Sequence, residues 1–331
     1  MGWWAKIWRT KAEEWIFAPL EQVPDGLVPS ELVAEQMYVS VALRSLRVVD
    51  VRKGISKFYG TVHSYIGLPH LSGQEAVFQT VTTPNDLRDA DASRIDRIIQ
   101  LDRPLLRDVP YRGGSLDMEM GLFSVKSADL VAPFVSVLEK MAEVAGVSYV
   151  SAAMPFVEPL KLGIGLLTGS SDESILEIGI SWAPNPPRTG WYFVMRAPKG
   201  AVDPANVLVD KNDFRLLLKG GGSLSQYPYM LFRLSSSIRK DDWFMIPDLV
   251  QPYEDLRKAV REGKADPVRQ ALGAFTRTVL TCQDLLRNDA RRVVKLVTDD
   301  VNEVLGVALQ AAGSSAKLPE LKDVPLYVNA P

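Results

Sequence analysis

From Leu116 to Leu122, after a turn at Gly113-Gly114, the chain alternates with a period of two. Leu116, Met118, Met120 and Leu122 fall on one side, and Asp117, Glu119 and Gly121 on the other. Successive side chains of a strand point to opposite faces, so this pattern belongs to a sheet with one apolar face and one polar face. The same β-type texture recurs over most of the chain. MYVSVALRSLRVVDVR, KFYGTVHSYIGL and QEAVFQTVTT are rich in β-branched and aromatic residues and are separated by Gly54, by Gly67-Leu68-Pro69 and by Pro84-Asn85-Asp86. They read as three strands of a meander. SILEIGISW places Leu176, Ile178, Ile180 and Trp182 on one face, and GWYFVMRAP reads as a further strand. FRLLLKGGGSLSQYPYMLFRL reads as two strands joined by a glycine-rich loop, whose Gly220 run suits positive φ better than a phosphate cradle.

Helical spacing interrupts this texture and then replaces it. Ile95, Ile98, Ile99 and Leu101 predict a short amphipathic helix within the charge-dense stretch 86–112. Leu130, Phe134, Leu138, Met141 and Ala145 predict an inserted helix over 127–146, with Ser127 as its cap. VEPLKLGIGLLTG is apolar and short, and periodicity does not decide its type. After Pro247, runs such as Leu249, Tyr253, Leu256, Val260 and Val293, Val297, Val301, Val304 recur at i, i+3, i+4 and i+7. Strands followed by helices place the chain in the α+β class. The expected architecture is an antiparallel β-sandwich-like region over 36–246 with the inserted helix, a helical region over 248–312, and an extended tail over 313–331.

Tryptophan is unevenly distributed. Of seven in the chain, four lie within the first fifteen residues: Trp3, Trp4, Trp8 and Trp15. Trp4, Trp8, Ala12, Trp15 and Ile16 fit one face of a helix over 3–17 that Pro19 stops, giving an N-terminal amphipathic element over 1–20. Its polar side mixes Lys6, Arg9 and Lys11 with Glu13 and Glu14, whereas interfacial membrane helices carry an excess of bases. Contact with protein is therefore the reading taken, with contact with a membrane surface as the alternative. Lys6 stands where a myristoylation motif needs Ser or Thr. No cleavage-site pattern follows, and no apolar run reaches the ~18–20 residues that span a bilayer.

The chemistry open to the chain is narrowed by its raw material. Lys+Arg is 38 against Asp+Glu 40, a net charge of −2, and Asp284, Asp289, Asp299 and Asp300 surround the basic Arg287, Arg291, Arg292 and Lys295; no nucleic-acid partner is expected. Two histidines, His63 and His70, and the single Cys282 make no zinc quartet and no disulfide. Asp89-x-Asp91-x-Ser93 opens like a calcium loop, but Arg94 and Gln100 occupy the positions that need Gly and Glu. No P-loop, dinucleotide fingerprint or G-x-S-x-G elbow is present, so no cofactor is expected. Four constellations remain for catalysis: Cys282 with a histidine, His63 with His70 should the chain reverse between them, the carboxylate pair Asp117/Glu119, and the adjacent Asp241/Asp242 before Trp243.

The expectation is a non-enzymatic binding or scaffold subunit of an intracellular protein assembly, docking through Trp3, Trp4, Trp8, Trp15 and Ile16. The partner is another protein or a second copy of the chain. The location is cytoplasmic, with peripheral membrane attachment through the same helix as the alternative. The competing class is a hydrolase with a non-standard site near Asp241/Asp242 or His63/His70.

Overall fold

A computed structural model describes residues 14–49, 52–53, 56–69, 75–81, 99–126 and 174–313. The fold is α+β: among the described residues there are antiparallel sheets, with three helices in the C-terminal part. The chain divides into two compact units, Met1–Ser237 and Ile238–Pro331.

The first unit contains two main sheets. The strands are β1 (Glu14–Pro19), β2 (Tyr38–Arg47), β3 (Arg52–Lys53), β4 (Ser56–Pro69), β5 (Glu75–Val81), β6 (Ile99–Pro110), β7 (Asp117–Lys126), β8 (Ser174–Trp182), β9 (Gly190–Ala197), β10 (Val207–Val209), β11 (Leu216–Leu218) and β12 (Tyr229–Ser237). One sheet has the order β1-β9-β12-β2-β6. The other has the order β3-β4-β7-β8, with β5 also paired to β4. A single core cluster draws Val41 and Leu43 (β2), Val194 (β9) and Phe232 (β12) from the first sheet, and Val62 and Ile66 (β4), Met118 and Met120 (β7) and Ile180 (β8) from the second. Apolar faces of two sheets meeting in one core make a sandwich-like packing.

The opposite face of the first sheet is also covered. Trp191, Phe193 and Met195 of β9 and Tyr229 and Leu231 of β12 pack with Val207 and Leu216 of the β10–β11 hairpin and with Leu20, Val202 and Leu224. β9 and β12 are therefore apolar on both sides: Tyr192 and Val194 enter one core, and Trp191, Phe193 and Met195 the other. Arg44 is held in this second layer, with its guanidinium carbon 4.5 Å from the Phe214 ring centroid and 5.3 Å from that of Trp191.

Several sequence readings change here. The helix expected over 3–17 does not extend through Trp15 and Ile16. Glu14–Pro19 is strand β1, antiparallel to β9 with Trp15 opposite Arg196 and Phe17 opposite Val194. Both sides of β1 meet apolar layers, so Trp15, Ile16, Phe17 and Ala18 are all apolar and no period of two marks the strand. Residues 1–13, with Trp3, Trp4 and Trp8, lie outside the described residues. The meander also fails: β2 pairs with β6 and β12, while β4 and β5 pair with each other in the second sheet. Ile99 and Leu101 belong to strand β6 rather than to a helix. Among the described residues β6 is an edge strand and tolerates Pro104; its register against β2 shifts between Pro104 and Leu106 and again across Asp108, which has φ 45°, so that Leu105, Leu106 and Val109 all reach the core. Asp108 there receives hydrogen bonds from the hydroxyls of Ser40 and Ser237, tying β6 to β2 and β12. The two strands flanking the Gly220 run both form, but β11 pairs with β10 and β12 joins the first sheet. Gly220 and Gly221 adopt φ near +90°, as a tight loop requires. The helix expected over 127–146, residues 86–98 of the charge-dense stretch, the segment VEPLKLGIGLLTG and residues 314–331 of the expected tail lie outside the described residues.

The second unit is built of α1 (Pro247–Glu262), α2 (Ala265–Thr281) and α3 (Arg287–Gly313). The segment DDWFMIPDL leads into it through a 3-10 turn over Trp243–Met245. Gly263 at φ 70° ends α1, its backbone N–H donating to the carbonyls of Ala259 and Val260. Trp243 packs edge-on to Tyr253 of α1 at 5.0 Å and lies 5.8 Å from Phe275 of α2. Of the positions that the helical spacing singled out, Leu249, Leu256, Val260, Val293, Val297 and Val301 are buried and Tyr253 and Val304 partly so.

Candidate functional site

Trp15 and Ile16 are the two expected interface residues within the described part of the chain. They face opposite ways, as neighbours on a strand must: Trp15 packs against the core between the sheets and Ile16 against the second layer. Both side chains therefore serve the fold as well as any contact made beyond it.

Trp15 belongs to the side of the sandwich where, among the described residues, the first sheet ends in β1 and the second in β8. Aromatic rings gather there from both sheets. Trp182, the last residue of β8, lies 4.7 Å from Tyr192 of β9 and 5.2 Å from Phe17 of β1. Phe17 and Tyr192 are nearly parallel at 5.9 Å, and Tyr192 stacks on Phe232 of β12 at 5.7 Å. Phe17 remains 37% exposed and Trp182 is half-buried. The same two strands, β8 and β9, are joined by an ion pair: Arg196 Nη2 donates to Glu177 Oε2 at 2.8 Å, with the glutamate 1% exposed. Tyr192 donates its hydroxyl to the Arg188 carbonyl, and burial pushes the phenol pKa up. The result is an aromatic cluster at this edge in which Phe17 is exposed and Trp182 partly so.

Apart from Trp15, this set was not singled out from the sequence as a site. Trp182 was legible as one of a strand's apolar residues. Its meeting with Phe17 depends on β8 and β1 ending their sheets on the same side, which no local pattern encodes.

The candidates for catalysis are placed as follows. His63 sits in β4 opposite Val81 and Gly121 and is 4% exposed; burial pulls its pKa down to about 3, leaving a neutral imidazole at neutral pH. His70 lies outside the described residues. Burial raises the Cys282 thiol to about 11, so the thiolate that a nucleophile needs is scarce at neutral pH. Asp117 and Glu119 stand on β7 opposite Gly67 and Tyr65. Asp241 pairs with Arg292 at 3.7 Å and Asp242 with Lys240 at 3.6 Å, while Trp243 beside them is buried. Lys240 is itself fastened: its backbone N–H donates to Asp289 Oδ2, and Arg292 bridges Asp289 and the Lys240 carbonyl. Within the basic set on α3, Lys295 pairs with Asp299 at 2.6 Å and Arg292 with Asp289. Among the described residues, no group of three or more His, Cys, Asp and Glu is arranged to hold a metal ion, and no helix is long and apolar enough to cross a membrane.

His63 carries a pH dependence. In the unfolded chain its imidazole takes up a proton as pH falls through about 6.5, whereas in the fold it does so only near 3. The stability due to the neutral buried ring is thus complete above 6.5 and is lost as pH falls below it, at up to about 1.4 kcal/mol per pH unit. Melting curves from pH 7 to 4.5 are expected to fall more steeply for the native protein than for His63→Gln. Parallel curves would contradict this placement of His63.

No protein-family model matches the chain, and comparison with curated proteins and with solved structures likewise finds no match.

Proposed function

We propose that the protein is a non-enzymatic binding or scaffold subunit of a cytoplasmic protein assembly, docking through its tryptophan-rich N-terminal segment and the aromatic edge that this segment leads into. The observation that supports it most is the run from Trp15 to Phe17. The segment bearing Trp3, Trp4 and Trp8 enters the fold at an edge strand, where the rings of Phe17, Trp182 and Tyr192 cluster and Phe17 is 37% exposed. Interfaces are enriched in such aromatic anchors, and a few of them carry most of the binding energy. The alternative of a hydrolase near Asp241/Asp242 or His63/His70 has less behind it, because the two aspartates are ion-paired and His63 is buried.

The test is a deletion of residues 2–13, which stops short of β1 and so spares Trp15 and Phe17. The truncated protein is expected to keep its far-UV circular dichroism and its melting temperature within a few degrees. Size exclusion of host extracts containing either form is expected to place the full chain in a larger species than the truncated one. The same pair of proteins is mixed with vesicles containing anionic lipid, where no difference in co-sedimentation is expected. An unchanged mass distribution would overturn the proposal, and a loss confined to vesicle binding would replace the protein partner with a membrane surface.

A further inference from the structure

We draw no further inference here: the strongest candidate, the exposed apolar side chains Met245, Val250, Leu280 and Leu296 on the surface of the helical unit, carries nothing because nothing in the structure shows what covers them.

Discussion

Replacing Trp191 by alanine is expected to lower the unfolding free energy by about 3–5 kcal/mol, the range for truncating a fully buried large aromatic side chain. Trp191 is 1% exposed in the layer beneath the β10–β11 hairpin. Its indole N–H donates to Asp25 at 3.0 Å, its ring lies 5.6 Å from Phe214, and Arg44 stands over it. The substitution removes all three contacts and opens a cavity next to Phe193 and Leu216. A typical domain has only about 5–15 kcal/mol in total, so the variant should shift the urea midpoint strongly or fail to fold. Trp191→Phe keeps much of the apolar volume but loses the bond to Asp25, and an intermediate loss of about 1–2 kcal/mol is expected. A cost below 1 kcal/mol for the alanine variant would mean that the second layer is not packed on the first sheet.

The second large effect concerns the ion pair between the sheets. Arg196→Met removes the guanidinium that bonds Glu177, whose side chain is 1% exposed. Removing one partner of a buried pair costs about 3–5 kcal/mol, because the remaining charge has lost its compensation; the 19% exposure of Arg196 places the expected value at the lower end. Glu177 should respond by binding a proton more readily, so the loss is larger at pH 8 than at pH 5. Adding Glu177→Gln should recover part of the stability, giving a clear coupling in a double-mutant cycle. Additive effects, or a loss for Arg196→Met that does not change with pH, would show that the two side chains do not meet across β8 and β9.

These two sites also mark where the sequence could and could not be read. β7 and β8 were legible because one face of each is apolar and the other is not: Met118 and Met120 enter the core while Asp117 and Glu119 face away. β9 was legible from its β-branched and aromatic content, but its position was not. Both faces of Trp191–Ala197 are covered, so periodicity cannot say which residues meet which layer. The same two-sided burial hid β1. A strand with Trp15, Ile16, Phe17 and Ala18 all apolar offers no alternation, and the spacing of Trp4, Trp8, Ala12 and Trp15 then favours a helical template. In β6 the local chemistry misled in another way. Charged residues and Pro104 suit an edge strand, and a register shift between Pro104 and Leu106 puts adjacent Leu105 and Leu106 into one core. The C-terminal helices were legible because α1 and α2 are each buried on one stripe, with Leu249, Leu256 and Val260 in the first and Val268, Phe275 and Val279 in the second. The aromatic edge depends on which strands end the two sheets, and that is a property of topology rather than of any segment.

The proposed docking role is tested most directly by placing a photo-activated cross-linker, p-benzoylphenylalanine, at position 8 of the full chain. After irradiation in extracts of the native host, covalent products are identified by mass. A discrete adduct between this position and one polypeptide, either another protein or a second copy, is the expected result. It should disappear when Trp3 and Trp4 are replaced by serine. Adducts to lipid alone, or none at all with the cross-linker intact, would contradict a protein-docking function for the tryptophan-rich segment.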